Sequence, residues 1–327
     1  MKLATYIDPA GARAIGVVDT AGKSILALQA AHGAAFGAPS PHFTDMLALI
    51  DAGEEGLALA REVVKRSAGG THRVPLEGTK LLAPVPEPRQ IRDCNNFEQH
   101  MRGARIGMEK LKARLAGKPE PDAKDVSTTI HPVNYKHIVF YISNRFNVSG
   151  PDAVIEWPPY TEWLDFEGEI GFFIGKRGRD IPKEQALNHI FGYTIFNDFS
   201  ARDQQADEME GRMGPTKGKS FDTSNVVGPW IVTRDEIPDY RAMTATVRIN
   251  GVERGKGTTA EMIHPYEDII AYISRSETLH PGELIGTGTL GGCCALETGN
   301  WPKDGDVVEI DVDKIGVLRN RVRRKPR

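Results

Sequence analysis

From about Tyr135 to its end, the chain is a succession of short apolar or alternating segments, and this pattern constrains the fold more than any other feature. The segments are HIVFYIS, EIGFFIG, GYTIFND, VVGPWIV, MTATVRIN, LIGTGT and VVEIDVD. Runs of this length and composition are typical of β-strands. Two helical patterns interrupt them, KEQALNHIF and YEDIIAYISR. Strands follow strands too often for the βαβ alternation of a doubly wound sheet, so we predict a β-rich α+β fold.

The first 80 residues are predicted to form a small α+β domain. KLATYID, AIGVVD and SILALQ have the composition of strands, and apolar residues recur at helical spacing from Asp45 to about Ser67. The segment LLAPVPEPRQ contains three prolines, which exclude a helix or an interior strand. We therefore place a domain junction there, between residues 1–80 and residues 81–327. Residues 98–117 are predicted to form a helix or lid, followed by an exposed loop, KPEPDAKDVSTT.

Composition excludes several classes of protein. Forty-one basic residues oppose 44 acidic ones, and the net charge of -3 favours neither a nucleic-acid nor a membrane partner. The basic end, RNRVRRKPR, is interpreted as a solvated strand and tail. No segment approaches the roughly 18 apolar residues of a membrane span. Three cysteines, two of them adjacent, give no disulfide framework, so a reduced cytoplasmic compartment is expected.

Two glutamates in the segment LDFEGEIGFFIGK are candidate site residues. On a strand, Glu167 and Glu169 point to the same face, with Gly168 between them facing the other way. The residues that follow are apolar, so the strand runs into the core, where two adjacent carboxylates repel each other and lose hydration. A divalent cation removes both penalties. Two solvated glutamates on an exposed strand face are the alternative interpretation of this pattern alone.

A third acidic residue favours the metal site. FGYTIFNDFSARDQQ is predicted to be a strand that ends at Asp198, and side chains at strand ends are where sites are usually built. Oxygen ligands without histidine or cysteine select Mg²⁺, Mn²⁺ or Ca²⁺ over zinc. We therefore predict Mg²⁺ or Mn²⁺, with Ca²⁺ as a further option, on Glu167, Glu169 and Asp198.

From Asp93 to about Arg321 the chain resembles the fumarylacetoacetate hydrolase family. The matching pieces are E-G-E in LDFEGEIGFFIGK, NDFSARDQQ, KGKSFDTSNVVGPW, LHPGELIGTGT and DGDVVEIDVDKIGVLRNRV. The order and spacing of these pieces carry the resemblance. It implies a β-roll catalytic domain over residues 81–327, preceded by a small domain found in some members, and it implies a homodimer.

The resemblance also implies roles for individual residues. It assigns the metal to the three acidic residues above, and an earlier aspartate followed seven residues later by a catalytic histidine matches Asp93 and His100 in DCNNFEQH. Asp93 is thus a further candidate ligand. The positions that match the family's polar substrate-binding residues are Arg202, Gln205 and Lys219, and Lys219 is also a catalytic candidate.

The partner of the catalytic histidine is left open by the sequence. Hydrolase members pair this histidine with a glutamate, which in the smaller acylpyruvase-like members lies three residues later, where this chain has Gly103. In the animal enzyme the glutamate lies near the carboxyl end, after a Gly-Thr turn. The segment TGTLGGCCALETG makes Glu297 the candidate here.

The resemblance implies a metal-dependent hydrolase that cleaves a C–C bond in a 1,3-diketo acid or acylpyruvate. His100 would activate water and the metal would stabilise an enolate. Two alternatives remain. One is an oxaloacetate-type decarboxylase or tautomerase, or a 2-keto-enoate hydratase, of the same family. The other is a metal-binding scaffold without catalysis. The expected partner is a small keto acid.

Overall fold

The computed structural model describes residues 1–67 and 70–324, so the last three residues of the basic end lie outside the described residues. The strands, numbered along the chain, are β1 (Lys2–Ile7), β2 (Arg13–Asp19), β3 (Ser24–Ala27), β4 (Arg73–Pro75), β5 (Ile91–Cys94), β6 (Phe140–Ser143), β7 (Val148–Ser149), β8 (Val154–Trp157), β9 (Leu164–Asp165), β10 (Glu167–Ile174), β11 (Gly178–Arg179), β12 (Ile190–Asp198), β13 (Ser200–Ala201), β14 (Asn225–Thr233), β15 (Thr244–Ile249), β16 (Val252–Thr258), β17 (Thr278–Leu279), β18 (Leu284–Cys294), β19 (Val307–Val312) and β20 (Gly316–Arg324).

Helices are fewer than strands in the main part of the chain. The α-helices are α1 (Leu28–Phe36), α2 (Met46–Arg66), α3 (Glu98–Leu115), α4 (Val133–Lys136), α5 (Lys183–Ala186), α6 (Arg202–Met209), α7 (Tyr266–Ile273) and α8 (Ala295–Thr298). Short 3₁₀ turns lie at Pro41–Phe43, Ala123–Asp125, Leu187–His189, Lys217–Lys219, Arg234–Glu236, Tyr240–Ala242 and Thr259–Glu261. Across the described residues, no helix combines the length and the apolar character that crossing a membrane requires.

The largest sheet has the strand order β4-β3-β2-β1-β14-β12-β10-β18-β5-β6, with β7 paired to β14. Its central strands β14, β12, β10 and β18 pair antiparallel, and β5 joins β18 in parallel. Although β6 and β14 are far apart in this order, Ser143 Oγ on β6 donates a hydrogen bond of 3.1 Å to Asn225 Oδ1 on β14. The sheet therefore curls back on itself. This confirms the predicted β-rich fold with a β-roll.

Both faces of the central strands are buried, which explains why EIGFFIG is a continuous apolar run. On β10, Phe172 packs in a core shared with the five-stranded sheet β16-β15-β19-β20-β8, including Val247 and Ile310. The neighbouring Phe173 faces the opposite side and packs with Leu49 of α2. A strand covered on both faces loses the polar alternation of a half-exposed strand.

The amino-terminal segment continues the main sheet. Strand β1 pairs antiparallel with β14, so β1 to β4 extend the sheet outward from the roll. Residues 82–90, within the proline-rich segment, form no helix or strand, as the prolines predicted. The division into domains at residue 80 stays a prediction, and the shared sheet shows that the two parts meet through backbone pairing.

Two sequence interpretations of single segments were wrong at their edges. SILALQ was predicted to be one strand, but β3 ends at Ala27 and α1 begins at Leu28. KEQALNHIF was predicted to be helical, but Ile190 and Phe191 already belong to β12. In the second case, pairing of Ile190 with Ile174 of β10 outweighs the local helical preference.

Candidate active site

Four carboxylates converge where neighbouring strands of the roll meet. Asp93 lies on β5, Glu167 and Glu169 on β10, and Asp198 at the end of β12. All four residues are buried, with exposed fractions of 4% or less. Ligand oxygens of Asp93, Glu167 and Glu169 lie within 4.8 Å of one another. The cluster therefore brings Asp93 together with Glu167 and Glu169. Asp198 is connected to it by Lys219, which donates hydrogen bonds to both Glu167 and Asp198.

Lys219 is placed inside this cluster. Its ammonium group donates hydrogen bonds to Glu167 Oε2 and Asp198 Oδ2. Tyr141 on β6 donates a hydrogen bond of 2.6 Å to Asp198 Oδ2. Burial opposes the charge of Lys219, but the Asp198 and Glu167 carboxylates outweigh it and raise the pKa of this ammonium. Lys219 is therefore charged and supplies part of the positive charge that balances these carboxylates.

Arg202 completes the polar layer. Its Nη2 donates to Glu167 Oε1 at 2.5 Å, its Nε to Asp165 Oδ2 at 2.8 Å, and its Nη1 to Gln205 Oε1 at 2.9 Å. Although burial opposes ionisation, Arg202 and Lys219 hold the pKa of Glu167 below its ordinary value. Both predicted substrate-binding residues of α6 thus line the same site, and the guanidinium of Arg202 fixes Glu167.

The other carboxylates lack enough positive charge. Burial and the charge of Asp198 raise the pKa of Asp93 to about 8. Burial, together with Asp93 and Glu167, raises the pKa of Glu169 well above its ordinary value. Burial also raises the pKa of Asp198. Without a further cation, these buried carboxylates repel one another and cannot all be ionised.

The donor set fits a hard divalent cation. Asp93 Oδ1 and Asp198 Oδ1 are buried and have no hydrogen-bond partner among the described residues. Five acids, the four carboxylates plus Asp165, face two cations, Lys219 and Arg202, which leaves a net charge of -3 when all are ionised. Unpartnered carboxylate oxygens in a negatively charged, oxygen-only cluster are what Mg²⁺ and Mn²⁺ bind.

A histidine and a glutamate lie at the edge of the same cleft. His100, in the first turn of α3, has its Nδ1 2.7 Å from Oε1 of Glu297 on α8. The other oxygen, Glu297 Oε2, accepts a 2.9 Å hydrogen bond from the backbone N–H of Gly292. Cys294 Sγ donates to Glu297 Oε1 at 3.3 Å. The structure thus places beside His100 the glutamate that sequence resemblance left open.

Two glycines let α3 come this close to α8. A Cβ built on Gly103 would be 2.9 Å from Glu297 Oε2, so a side chain at position 103 would compete for the space that Glu297 occupies. A Cβ on Gly107 would overlap the Leu296 carbonyl oxygen. Position 103 is thus one at which a side chain would meet Glu297. The glutamate comes from α8, and the glycine makes room for it.

We expect Gly107→Ala to impair the His100–Glu297 pair. Since the added methyl group would meet backbone, α3 must move away from α8, and a shift of about 1 Å can cost about a hundredfold in rate. The readout is kcat together with the thermal midpoint of unfolding. Gly33→Ala is the matched control, because Gly33 lies in helix α1 with no atom within 4 Å of its added Cβ. The control should retain full activity, and an equally active Gly107→Ala protein would contradict the expectation.

Three of the carboxylates (Asp93, Glu167 and Glu169), His100 and both cations line one cleft of about 320 Å³. The volume suits a small organic acid. We call the end of the cleft that is lined by Glu167, Glu169 and Lys219 its inner end. The other walls include apolar side chains such as Met108 and Met209. The lining residues include Asp93, His100, Ala104, Met108, Val139, Phe140, Tyr141, Glu167, Glu169, Arg202, Gln205, Met209, Lys219, Thr289 and Leu296.

With this geometry established, comparison with known proteins identifies the family. The family model described as the fumarylacetoacetate hydrolase C-terminal domain matches residues 91–323, more than two thirds of the chain. The chain belongs to the fumarylacetoacetate hydrolase family. Members of this family are enzymes, and they act on small molecules.

Relatives within the fumarylacetoacetate hydrolase family differ in reaction. The chain is 32% identical to the oxaloacetate tautomerase YisK of Bacillus subtilis over 257 residues, which cover 77% of this chain and 76% of the relative. A fumarylacetoacetate hydrolase from Exiguobacterium antarcticum is 28% identical with a TM-score of 0.72, covering 99% of this chain and 100% of that one. The maleylpyruvate hydrolase of Sphingobium sp. SYK-6, solved with Mn(II) and pyruvate, is 25% identical with a TM-score of 0.71 and full coverage of both chains.

Sequence reasoning missed three residues that shape the site. Tyr141 donates a hydrogen bond to Asp198. Asp165 precedes the E-G-E motif by two residues and anchors both Arg202 and the start of α8, through the backbone N–H groups of Ala295 and Leu296. Cys294 donates a hydrogen bond to Glu297. The alternation D-F-E-G-E was an available signal for Asp165, since it shares the face of the two glutamates.

Proposed function

We propose that this protein is a divalent-metal-dependent hydrolase that cleaves a C–C bond in an acylpyruvate or related 1,3-diketo acid. The observation that carries the proposal is the His100–Glu297 pair, 2.7 Å apart, because His100 lines a cleft that the buried carboxylates Asp93, Glu167 and Glu169 also line. A base held by a carboxylate beside an oxygen-rich cation site is the equipment that hydrolysis of such a bond requires.

The acidic residues have the role of cation ligands. Asp93, Glu167, Glu169 and Asp198 would hold Mg²⁺ or Mn²⁺, and Ca²⁺ satisfies the same oxygen preference. When bound, the cation supplies Lewis-acid stabilisation of negative charge on the substrate oxygens. Lys219 and Arg202 hold Glu167 ionised, so that at least one ligand is ready without losing a proton.

His100 has the role of general base. Its Nδ1 is engaged by Glu297, which leaves Nε2 to take a proton from water and favours the protonated ring that results. The hydroxide oxygen forms a bond to the remote carbonyl carbon, and the bond between that carbon and C3 of the pyruvate unit breaks. The electron pair of the broken bond stays on C3, which takes up a proton. The products are a carboxylate and pyruvate.

The cationic and amide side chains position the substrate. Lys219, at the inner end of the cleft, would donate to a developing oxyanion, and Arg202 with Gln205 would orient the substrate carboxylate. Each of these side chains is already held by protein partners, so little reorganisation is needed at the moment of reaction.

A second candidate is tautomerisation of an oxaloacetate-type acid. The observation in its favour is the similarity to a named oxaloacetate tautomerase over 77% of this chain. This reaction moves a proton between carbon and oxygen and breaks no C–C bond. His100 would then take a proton from carbon rather than from water.

A substrate screen separates the two candidates. With Mg²⁺ or Mn²⁺ present, acylpyruvates are expected to lose their enol absorbance and release pyruvate in equal amount, measured with a coupled dehydrogenase. Conversion of enol oxaloacetate to its keto form without any pyruvate from acylpyruvates would favour the tautomerase. Metal-dependent stabilisation with neither reaction would indicate a binding protein. The homodimer and the cytoplasmic location stay predictions.

A further inference from the structure

Helix α3 runs along the cleft from a polar end to an apolar end. His100, Ala104 and Met108 are spaced by four residues, so they lie on one face, and all three line the cleft. At 1.5 Å per residue, Met108 is about 12 Å along the helix axis from His100. The wall that begins with the base therefore ends with a methionine.

Helix α6 has the same arrangement. Arg202, Gln205 and Met209 are spaced by three and four residues and all line the cleft. Arg202 fixes Glu167 at the inner end, and Met209 lies about 10 Å further along the axis. Met209 is 47% exposed, which is high for a large apolar side chain on the wall of a cleft.

An ion pair connects the two helices beyond their methionines. Lys112 Nζ lies 2.6 Å from Glu210 Oε1, four residues after Met108 and one residue after Met209. The helices are thus side by side, with their polar first turns at the carboxylates and their methionine ends together. Because Lys112 and Glu210 neutralise each other, they offer no net charge to a ligand.

We propose that the methionine end of the cleft is a binding site for an uncharged aliphatic or aromatic acyl group. We call this region the distal subsite and define it by Ala104, Met108, Met209 and Leu296. The inference rests on the proposed keto-acid function for the inner end and adds the class of substrate. Methionine side chains are flexible and polarisable, so the distal subsite adapts to acyl groups of different shape.

Charge distribution excludes a second carboxylate in the distal subsite. None of the acidic or basic residues among the described residues that line the cleft belongs to the distal subsite. They are Asp93, His100, Glu167, Glu169, Arg202 and Lys219. Both cations there, Arg202 and Lys219, are already paired with acids. A carboxylate at the distal end would find no cationic side chain among Ala104, Met108, Met209 and Leu296 to pair with. The substrate is therefore a monocarboxylate with an apolar tail, unlike oxaloacetate or maleylpyruvate.

Binding of unreactive 2-oxo acids tests this without turnover. Calorimetry on the Mg²⁺-saturated protein compares the affinities for pyruvate, 2-oxooctanoate and 2-oxooctanedioate. All three carry a 2-oxo carboxylate group, which is the part expected at the inner end. We expect 2-oxooctanoate to bind at least about tenfold more tightly than either of the others, because its chain buries apolar surface without adding charge. None of these acids has the 4-oxo group of an acylpyruvate, so none can be cleaved in the same way.

A charge change in the distal subsite should reverse the preference. Met209→Lys is expected to weaken 2-oxooctanoate and to strengthen 2-oxooctanedioate, each by about tenfold. Met108→Lys should do the same from the opposite wall and serves as the second variant. Met213→Lys is the matched control, since Met213 is 87% exposed and is not among the residues that line the cleft.

Each outcome decides for or against the distal subsite. Equal binding of the two longer acids, or tighter binding of the dicarboxylate, would overturn it. The distal subsite would also be overturned if 2-oxooctanoate bound no more tightly than pyruvate. The same holds if Met213→Lys changed the affinities for the two longer acids as Met209→Lys does. Failure of the proposed function looks different. In that case acylpyruvates release no pyruvate, while the preference for the apolar chain is still measured directly.

Discussion

The Glu169→Gln protein is expected to lose Mg²⁺ and Mn²⁺ binding and, with it, turnover. Glu169 is 1% exposed and lies with Asp93 and Glu167 in the group of oxygens within 4.8 Å of one another. Glutamine keeps an oxygen to accept the 3.0 Å hydrogen bond from the Gly288 N–H but removes the charge. Loss of a charged ligand should raise the metal dissociation constant at least about a hundredfold.

Thermal unfolding gives a readout that does not depend on the substrate. At a metal concentration a hundredfold above the dissociation constant, binding adds about 2.7 kcal/mol to the free energy of unfolding of the unaltered protein. The Glu169→Gln protein should gain little at the same concentration. Glu261→Gln, an exposed glutamate, is the matched control and should respond as the unaltered protein does. A metal-dependent shift of full size in Glu169→Gln would disprove the ligand assignment.

The pH dependence of metal binding has a sign that follows from the raised pKa values. In the metal-free protein the pKa of Asp93 is about 8, so near neutral pH Asp93 holds a proton that a cation must displace. Burial and the neighbouring carboxylates Asp93 and Glu167 raise the pKa of Glu169 as well, which acts in the same direction. Metal affinity should therefore increase as pH rises toward 8 and level off above it. In Glu169→Gln position 169 no longer titrates, which reduces the pH dependence of any binding that remains.

The fold was predictable from the sequence to the extent that it depends on local pattern. The strands around Glu167 and Asp198 could be recognised because each is a long apolar run bounded by polar residues. The curling of the sheet could not, since it depends on a contact between Ser143 and Asn225, which are 82 residues apart. The end of β3 at Ala27 was missed because SILALQ is apolar throughout and allows either structure.

For the site, residue types were predictable and their contacts were not. The E-G-E spacing placed Glu167 and Glu169 on one face, as the structure shows. That Asp93 would join them follows from the parallel pairing of β5 with β18, which no local pattern encodes. Glu297 lies 197 residues from His100, and the signal that connects them is indirect. It came from the family resemblance, through the segment TGTLGGCCALETG, and the structure adds that the missing side chains of Gly103 and Gly107 let the two helices touch.

Replacement of His100 by alanine is expected to lower kcat for acylpyruvate cleavage by about 10²- to 10⁴-fold, the usual contribution of a general base. KM should change little, because the carboxylates, Lys219 and Arg202 that bind the substrate are untouched. Metal binding should persist, which separates this variant from a variant of a metal ligand. His280→Ala, at an exposed histidine, is the control and should keep full activity.

Glu297→Gln tests whether the two residues act as one unit. Glutamine still accepts a hydrogen bond, but it gives no charge to stabilise the protonated His100 ring, so kcat should fall in this variant as well. If Glu297 acts only through His100, the double variant should be no slower than His100→Ala alone, because groups that act as a unit are not additive. Independent, multiplying losses would contradict the pair. Full cleavage by His100→Ala would exclude His100 as the general base of the hydrolysis.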